Sequence, residues 1–321
     1  MRVFDAHEDI WTHVAQRRLQ GEKHVFRNRH LQSHKQGQVG GGIFVIWIDP
    51  PHTESPMKRL ETIAAEMQAE IKENEDILQI VRCYDDYANA IKQGKIAAVI
   101  GLEGLSYIED SLEPLEWLHS IGARHASLTW NEENHLATGV KGTPERGLTE
   151  LGRTAVAKLE SLKMIVDVSH ANEKSFWDIV SVCTRPIIAS HSNAKDLWEH
   201  PRNLTDRQLM ALRDTGGVVG VNAYPAFVGE NRNLEDLVRQ VDYLVNKIGI
   251  EHVGCGFDFC DYLNWEKEDH SPNNASLDIL SGLEGTHKVP LLFKGLSDLG
   301  YSDEALRKIA HENFERILKG L

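Results

Sequence analysis

Short apolar, β-branched runs recur along this chain with helix-length segments between them. Eight of these runs read as strands: 2–9, 42–48, 95–104, 124–131, 164–170, 186–192, 217–224 and 252–259. They are nearly continuously apolar rather than alternating, as strands covered on both faces are. Between them the spacing turns helical. Leu151, Ala155, Leu159 and Leu162 share one face of 149–162, and Leu234, Leu237, Val241 and Leu244 share one of 234–247. Thr205 and Gln208 stand at capping-box spacing ahead of Leu209 and Leu212, which predicts a helix over 205–213. A last helix is expected after Ser302, with Asp303 and Glu304 favouring its N-terminal dipole and Gly320 ending it.

Eight strand–helix units in 321 residues predict an α/β fold, a (β/α)8 TIM barrel built as one domain over 1–321. An open, doubly wound sheet is the competing arrangement, but it prefers a Gly-rich turn after the first strand, where this chain has His7-Glu8-Asp9. Two polar insertions, 12–40 and 261–285, follow strand C-termini, and they are expected to wall the end of the barrel where active sites form.

Charge changes the picture next. Acids exceed bases by 48 − 35 = 13, and no basic block runs along the chain, so a nucleic-acid partner is not expected. No apolar stretch exceeds strand length, so no membrane span is expected, and no cleavable leader stands ahead of Val3. The four cysteines form no C-x-x-C pair, which favours reduced thiols in a cytoplasmic protein over a disulfide framework. A homodimer is compatible with the sequence, which does not fix the oligomeric state.

Polar residues carry the chemistry through their position. Strands this apolar nonetheless end in His7 and Asp9, Glu103, His170, His191 and Asp258. In a barrel those ends converge on one mouth, and imidazoles with carboxylates there suit a metal such as zinc, with one carboxylate able to bridge two ions. Each residue also has a plainer reading. His170 and His191 taken singly are ordinary structural histidines, and only their shared form, an apolar run followed by Ser-His, sets them apart. Glu103 lies in Gly101-Leu102-Glu103-Gly104, a tetrapeptide repeated at 282–285, where a polar loop precedes it instead of a strand. His24, His30, His34 and His52 lie in polar segments and read as solvated.

Over nearly its whole length the chain resembles the membrane dipeptidase (renal dipeptidase-like) metallopeptidases of the amidohydrolase barrels. The resemblance rests on Asp5-Ala6-His7-Glu8-Asp9, the Gly-rich lead His30 to Gly41, Glu103, Asp167-Val168-Ser169-His170 and Ser190-His191-Ser192. It continues through Arg202-Asn203-Leu204, Asn222-Ala223-Tyr224, Gly256-Phe257-Asp258-Phe259 and Asn313-Phe314-Glu315-Arg316. The resemblance implies two Zn2+ ions, one held by His7, Asp9 and Glu103 and the other by Glu103, His170 and His191, with Glu103 bridging. It also implies Arg202 and Tyr224 as substrate-binding groups, Asp258 as the catalytic proton carrier, and a dipeptide substrate with a D-residue tolerated at the C-terminal position. One departure stands out. Where the family's mammalian pattern has L-T-H, this chain reads Leu128-Thr129-Trp130-Asn131, leaving His125, His135 or Asn131 to replace the missing histidine. The rival readings are another amidohydrolase-barrel activity on a cyclic amide, lactone or phosphoester, and a non-catalytic ligand-binding barrel. The former often opens with His-x-His and bridges its metals with a modified lysine, and neither feature is present here.

Overall fold

The computed structural model describes residues 1–263 and 279–321. Nine parallel strands form one sheet: β1 (Val3–Glu8), β2 (Val39–Trp47), β3 (Leu78–Ile80), β4 (Ile96–Glu103), β5 (Ala123–Ser127), β6 (Ile165–Asp167), β7 (Ile188–Ala189), β8 (Val218–Val221) and β9 (Val253–Cys255). Eight of them close a ring in the order β2-β1-β9-β8-β7-β6-β5-β4, and pairing of β2 with β4 completes it. This is the expected (β/α)8 barrel. The ninth strand, β3, was not foreseen. It pairs with the first residues of β4, below the point where β5 takes over that edge.

The pleat sorts the side chains into two layers. In β2 and β4 the residues Ile43, Val45, Ala97 and Val99 join Phe4 and Phe314 in one buried cluster, while Phe44, Ile46, Ala98 and Ile100 join the larger cluster under the helices. Phe314 packs against Phe4 with ring centroids 5.6 Å apart, and Asn313 donates to the carbonyls of Ile250 and Val253 at 2.7 and 2.8 Å. The closing Asn-Phe-Glu-Arg motif therefore seals the ring end opposite the polar strand termini.

The caps read from sequence are in place: Thr205 and Gln208 form a reciprocal capping box, and Ser302 accepts from the Ala305 N–H. Thr149, not foreseen as a cap, accepts from the Gly152 N–H at the start of the helix Glu150–Ser161. The insertion 12–40 differs from expectation. Instead of a polar wall it forms a helix, Ile10–Arg18, and a helical segment, Phe26–Gly37, and both His30 and His34 are buried rather than solvated. His34 Nε2 lies 2.9 Å from Glu8 Oε2, and His30 bonds His13 at 2.8 Å, so internal partners replace water for both rings. Of the second insertion, residues 264–278 lie outside the described residues. No described helix is long and apolar enough to cross a membrane.

Close backbone approach links the fold to its mouth at Gly256. A Cβ there would sit 1.7 Å from the carbonyl oxygen of Ser190, the residue just before His191. Gly256→Ala should therefore lower stability by about 3 kcal/mol, the upper end for overpacking a buried contact, read as a drop in the urea midpoint. An unchanged midpoint would show that this approach is not enforced.

Candidate metal centre and substrate cavity

Every expected ligand stands at the strand C-termini. His7 is the penultimate residue of β1, where the register with β2 shifts between Asp5 and Glu8 and Asp5 Oδ1 accepts from the His7 N–H at 3.2 Å. Glu103 ends β4 and lies in register with Trp47, the last residue of β2. His170 and His191 follow β6 and β7, and Asp258 follows β9. His170 and Asp258 hold φ of 70° and 58°, a left-handed backbone that side chains other than glycine rarely adopt, and both lie in this cluster.

The side chains meet on one carboxylate oxygen. Glu103 Oε1 lies 2.9 Å from His170 Nε2, 3.5 Å from His7 Nε2 and 3.6 Å from His191 Nε2. His7 Nε2 is also 4.0 Å from Asp9 Oδ2 and 3.8 Å from Asp258 Oδ1, so Asp258 stands beside this group as fully as Asp9 does. By contrast, Glu284 of the second Gly-Leu-Glu-Gly tetrapeptide pairs with Lys288.

A second layer of hydrogen bonds sets the tautomers. Ser190 Oγ donates to Asp167 Oδ2 at 2.5 Å and lies 2.7 Å from His191 Nδ1, so that ring nitrogen is the donor. His170 Nδ1 donates to Asn131 Oδ1 at 2.9 Å. Both Nε2 atoms then carry lone pairs, and they face each other at 2.9 Å. Two acceptors at that distance repel unless a cation or proton lies between them. His7 Nδ1 and Nε2 and Asp9 Oδ1 are buried without hydrogen-bond partners. A donor set of imidazole nitrogens and carboxylate oxygens with these orphaned atoms fits divalent metal.

From protein groups alone, the pKa shifts follow burial and charge. Burial and the nearby Arg202 pull His170 down to about 4, and burial, with His7 after it, lowers His191, so both rings are neutral near pH 7. Burial opposes a charge on His7, but Glu103, Asp258 and Asp9 overcome it and push the ring up to about 10. Burial also raises Asp9 and Asp258. A raised carboxyl is one whose negative charge the surrounding groups do not fully stabilise, and a bound cation would supply what is missing.

Above this floor opens a cavity of about 490 Å³, lined by Asp9, Glu103, His170 and Asp258 below and by Asn131, Arg202 and Tyr224 among its walls. Arg202 is buried, its guanidinium lies 5.6 Å from the Phe227 ring centroid, and its Nε has no partner. Asn222 donates to Asp258 Oδ2 at 3.0 Å. Sequence reasoning missed Trp47, Val140, Lys141, His200 and Phe227, which supply much of the wall. No residue of 12–40 lines the cavity, which corrects the expectation for that insertion. Of the three substitutes for the missing histidine, two do not line this cavity. His125 is buried against Asp167 at 2.9 Å, and His135 bonds the Glu109 carbonyl and lines an adjoining cavity that shares Trp47, Glu103 and Trp130 with this one. Asn131 remains in place.

Known proteins resemble this chain along its whole length. The family model for membrane dipeptidase (peptidase family M19) matches residues 1–321. A Schizosaccharomyces pombe protein named as an uncharacterized dipeptidase is 32% identical over 99% of this chain and 80% of its own length. A Claviceps purpurea dipeptidase is 28% identical over 99% of this chain and 76% of its own. Among solved structures, a metallopeptidase described as dipeptidase AC superposes with a TM-score of 0.87 at 27% identity, covering 99% of this chain and 98% of its own. A Rhodobacter sphaeroides metallopeptidase, solved with a phosphinate mimic of the dipeptide L-Ala-D-Ala, has a TM-score of 0.87 at 26% identity, with 99% of each chain covered. These relatives set aside both the cyclic-amide, lactone or phosphoester reading and the non-catalytic barrel. Matched along its whole length, with ligand-type side chains gathered at its barrel mouth, the chain belongs to the membrane dipeptidase family of metallopeptidases, hydrolases of the peptide bond in dipeptides.

Proposed function

We propose that this chain is a binuclear zinc dipeptidase that acts on dipeptides with a free C-terminal carboxylate and accepts a D-residue there. The observation that carries the reading is the convergence of three imidazole nitrogens on one oxygen of Glu103. His7, Asp9 and Glu103 would hold one ion, and Glu103, His170 and His191 the other. The bound pair would supply Lewis acidity toward the scissile carbonyl and acidify the attacking water.

The remaining tasks fall to the chain's own residues. Asp258 takes the proton of the attacking water and passes it to the leaving amine, with Asn222 holding its Oδ2 so that the other oxygen faces the centre. Arg202, buried and lining the cavity, pairs its planar fork with the substrate's C-terminal carboxylate. That ion pair anchors the far end of the substrate and orients the peptide bond over the floor. Tyr224 borders the same cavity and contacts the substrate's polar groups. Asn131, its carbonyl oxygen taken by His170, offers its amide N–H to charge developing on the scissile oxygen. A clamp on the carboxylate leaves the second side chain free in configuration, and the Rhodobacter relative's ligand mimics a dipeptide ending in D-Ala.

Three outcomes test this reading. Metal analysis after zinc reconstitution should give two equivalents per chain, with His170→Ala and His191→Ala each losing one and staying soluble; a single equivalent in the parent protein would sink the binuclear assignment. Asp258→Asn should lower kcat by about 10²–10⁴ while keeping both metals, and near-normal turnover would hand the proton transfer to another group. C-terminally amidated dipeptides should be poor substrates, and Arg202→Lys should lose most activity on free dipeptides because an ammonium cannot form two parallel hydrogen bonds. Equal cleavage of acid and amide would show that the carboxylate is not read.

A further inference from the structure

Two cationic side chains line the substrate cavity, and a neutral dipeptide has work for only one of them. Arg202 is assigned to the C-terminal carboxylate. Lys141, which lines the same cavity, is exposed, with its Nζ 6.0 Å from the Trp130 ring centroid. Among the described residues its ammonium forms no ion pair, although acids outnumber bases by 13 in this chain. Glu145, four residues on, forms no ion pair with it among the described residues, and the next acids are engaged elsewhere: Glu133 with Arg146 and the Thr143 N–H, Glu132 with the Trp130 N–H and Asn134.

The backbone that carries Lys141 is pinned to the metal-site segments on both sides. Lys141 N–H donates to the Asn131 carbonyl and Val140 N–H to the His170 carbonyl, both at 2.9 Å. Gly139 permits the approach, since a Cβ there would lie 2.3 Å from the Trp130 oxygen. The Lys141 backbone is thus held in place, and its ammonium lies within cation–π reach of the Trp130 ring. Facing the amino end of a neutral dipeptide, a cation there would repel the substrate's own ammonium. Facing a second carboxylate, it would complete a charge-assisted pair.

We propose that Lys141 is a specificity-determining residue that recognises a side-chain carboxylate, so that dipeptides containing aspartate or glutamate are the preferred substrates. This rests on the dipeptidase reading above and on Arg202 holding the terminal carboxylate.

The test compares kcat/KM on the zinc-loaded protein for alanylglutamate against alanylglutamine, and for glutamylalanine against glutaminylalanine, with alanylalanine alongside. The acidic member of one pair should be favoured about tenfold at low ionic strength, and the ratio should shrink as salt is added. Which pair responds tells which substrate residue Lys141 reads. Lys141→Met should bring that ratio to about one, and Lys141→Glu should invert it; both changes are at an exposed side chain, so folding is not at stake. Flat ratios in the parent protein with alanylalanine cleaved, or a ratio unchanged in Lys141→Met, would overturn the Lys141 assignment alone. Loss of cleavage of all five dipeptides would overturn both it and the reading on which it rests.

Discussion

Burying carboxylates and imidazoles together at one end of a parallel barrel is the constraint around which the rest of this molecule is arranged. Asp9, Glu103 and Asp258 crowd the same few ångströms as His7, His170 and His191. Ionised groups removed from water are costly unless opposite charge and hydrogen bonds replace the lost hydration. The surrounding polar residues make sense as that replacement. Asp167 accepts from Ser190 Oγ, from the N–H groups of Ser169 and Ser190, and pairs with His125, so its own burial is met by several partners. Asp5 accepts from the N–H groups of His7 and Phe257, tying β1 to the segment that carries Asp258. These bonds fix ring orientation and carboxylate position before any ligand arrives, which is what a preorganised centre requires.

Much of this was legible because a barrel converts sequence position into spatial position. A polar side chain at the end of a buried strand has one place to go, so His7, Glu103, His170, His191 and Asp258 could be grouped from the order of the strands alone. The duplicated Gly-Leu-Glu-Gly tetrapeptide shows the limit of local motif reading: only the copy preceded by a strand reaches the centre, and the other pairs with a lysine one helical turn on. Helix caps were legible for a similar reason, since Thr205 and Ser302 act on backbone donors within three residues.

What escaped sequence reading depends on contacts between distant segments. Strand β3 is three residues long, too short for a period, and exists because β4 offers a free edge below β5. His30 and His34 lie in a segment whose composition reads as solvated, yet Phe26 and Phe44 pack against the His34 ring and Glu8 receives it. An imidazole counts as polar in a hydropathy pattern, but once its nitrogens are paired it packs as an aromatic ring. The cavity wall was hidden for another reason. Val140, Lys141, His200 and Phe227 come from connections after the strands, and no spacing rule says which loop residue turns inward.

The exchange of histidine for Trp130 changes what the wall can do. Trp130 lies 5.2 Å from Trp47 and 6.2 Å from His170, ring centroid to ring centroid, and Trp47 in turn pairs in register with Glu103. An indole at this position cannot supply a titrating donor, so any hydrogen bond to the scissile oxygen must come from a neighbour, and Asn131 is already held beside it by His170. What the indole adds is a flat apolar face next to the ligands, which keeps water from the imidazole edges and strengthens the electrostatics of the centre. The Lys141 ammonium lies 6.0 Å from the centroid of the same ring. If Lys141 reads a substrate carboxylate as proposed, the indole beside it belongs to the part of the wall that chooses the substrate, with no titrating proton of its own to give to the reaction.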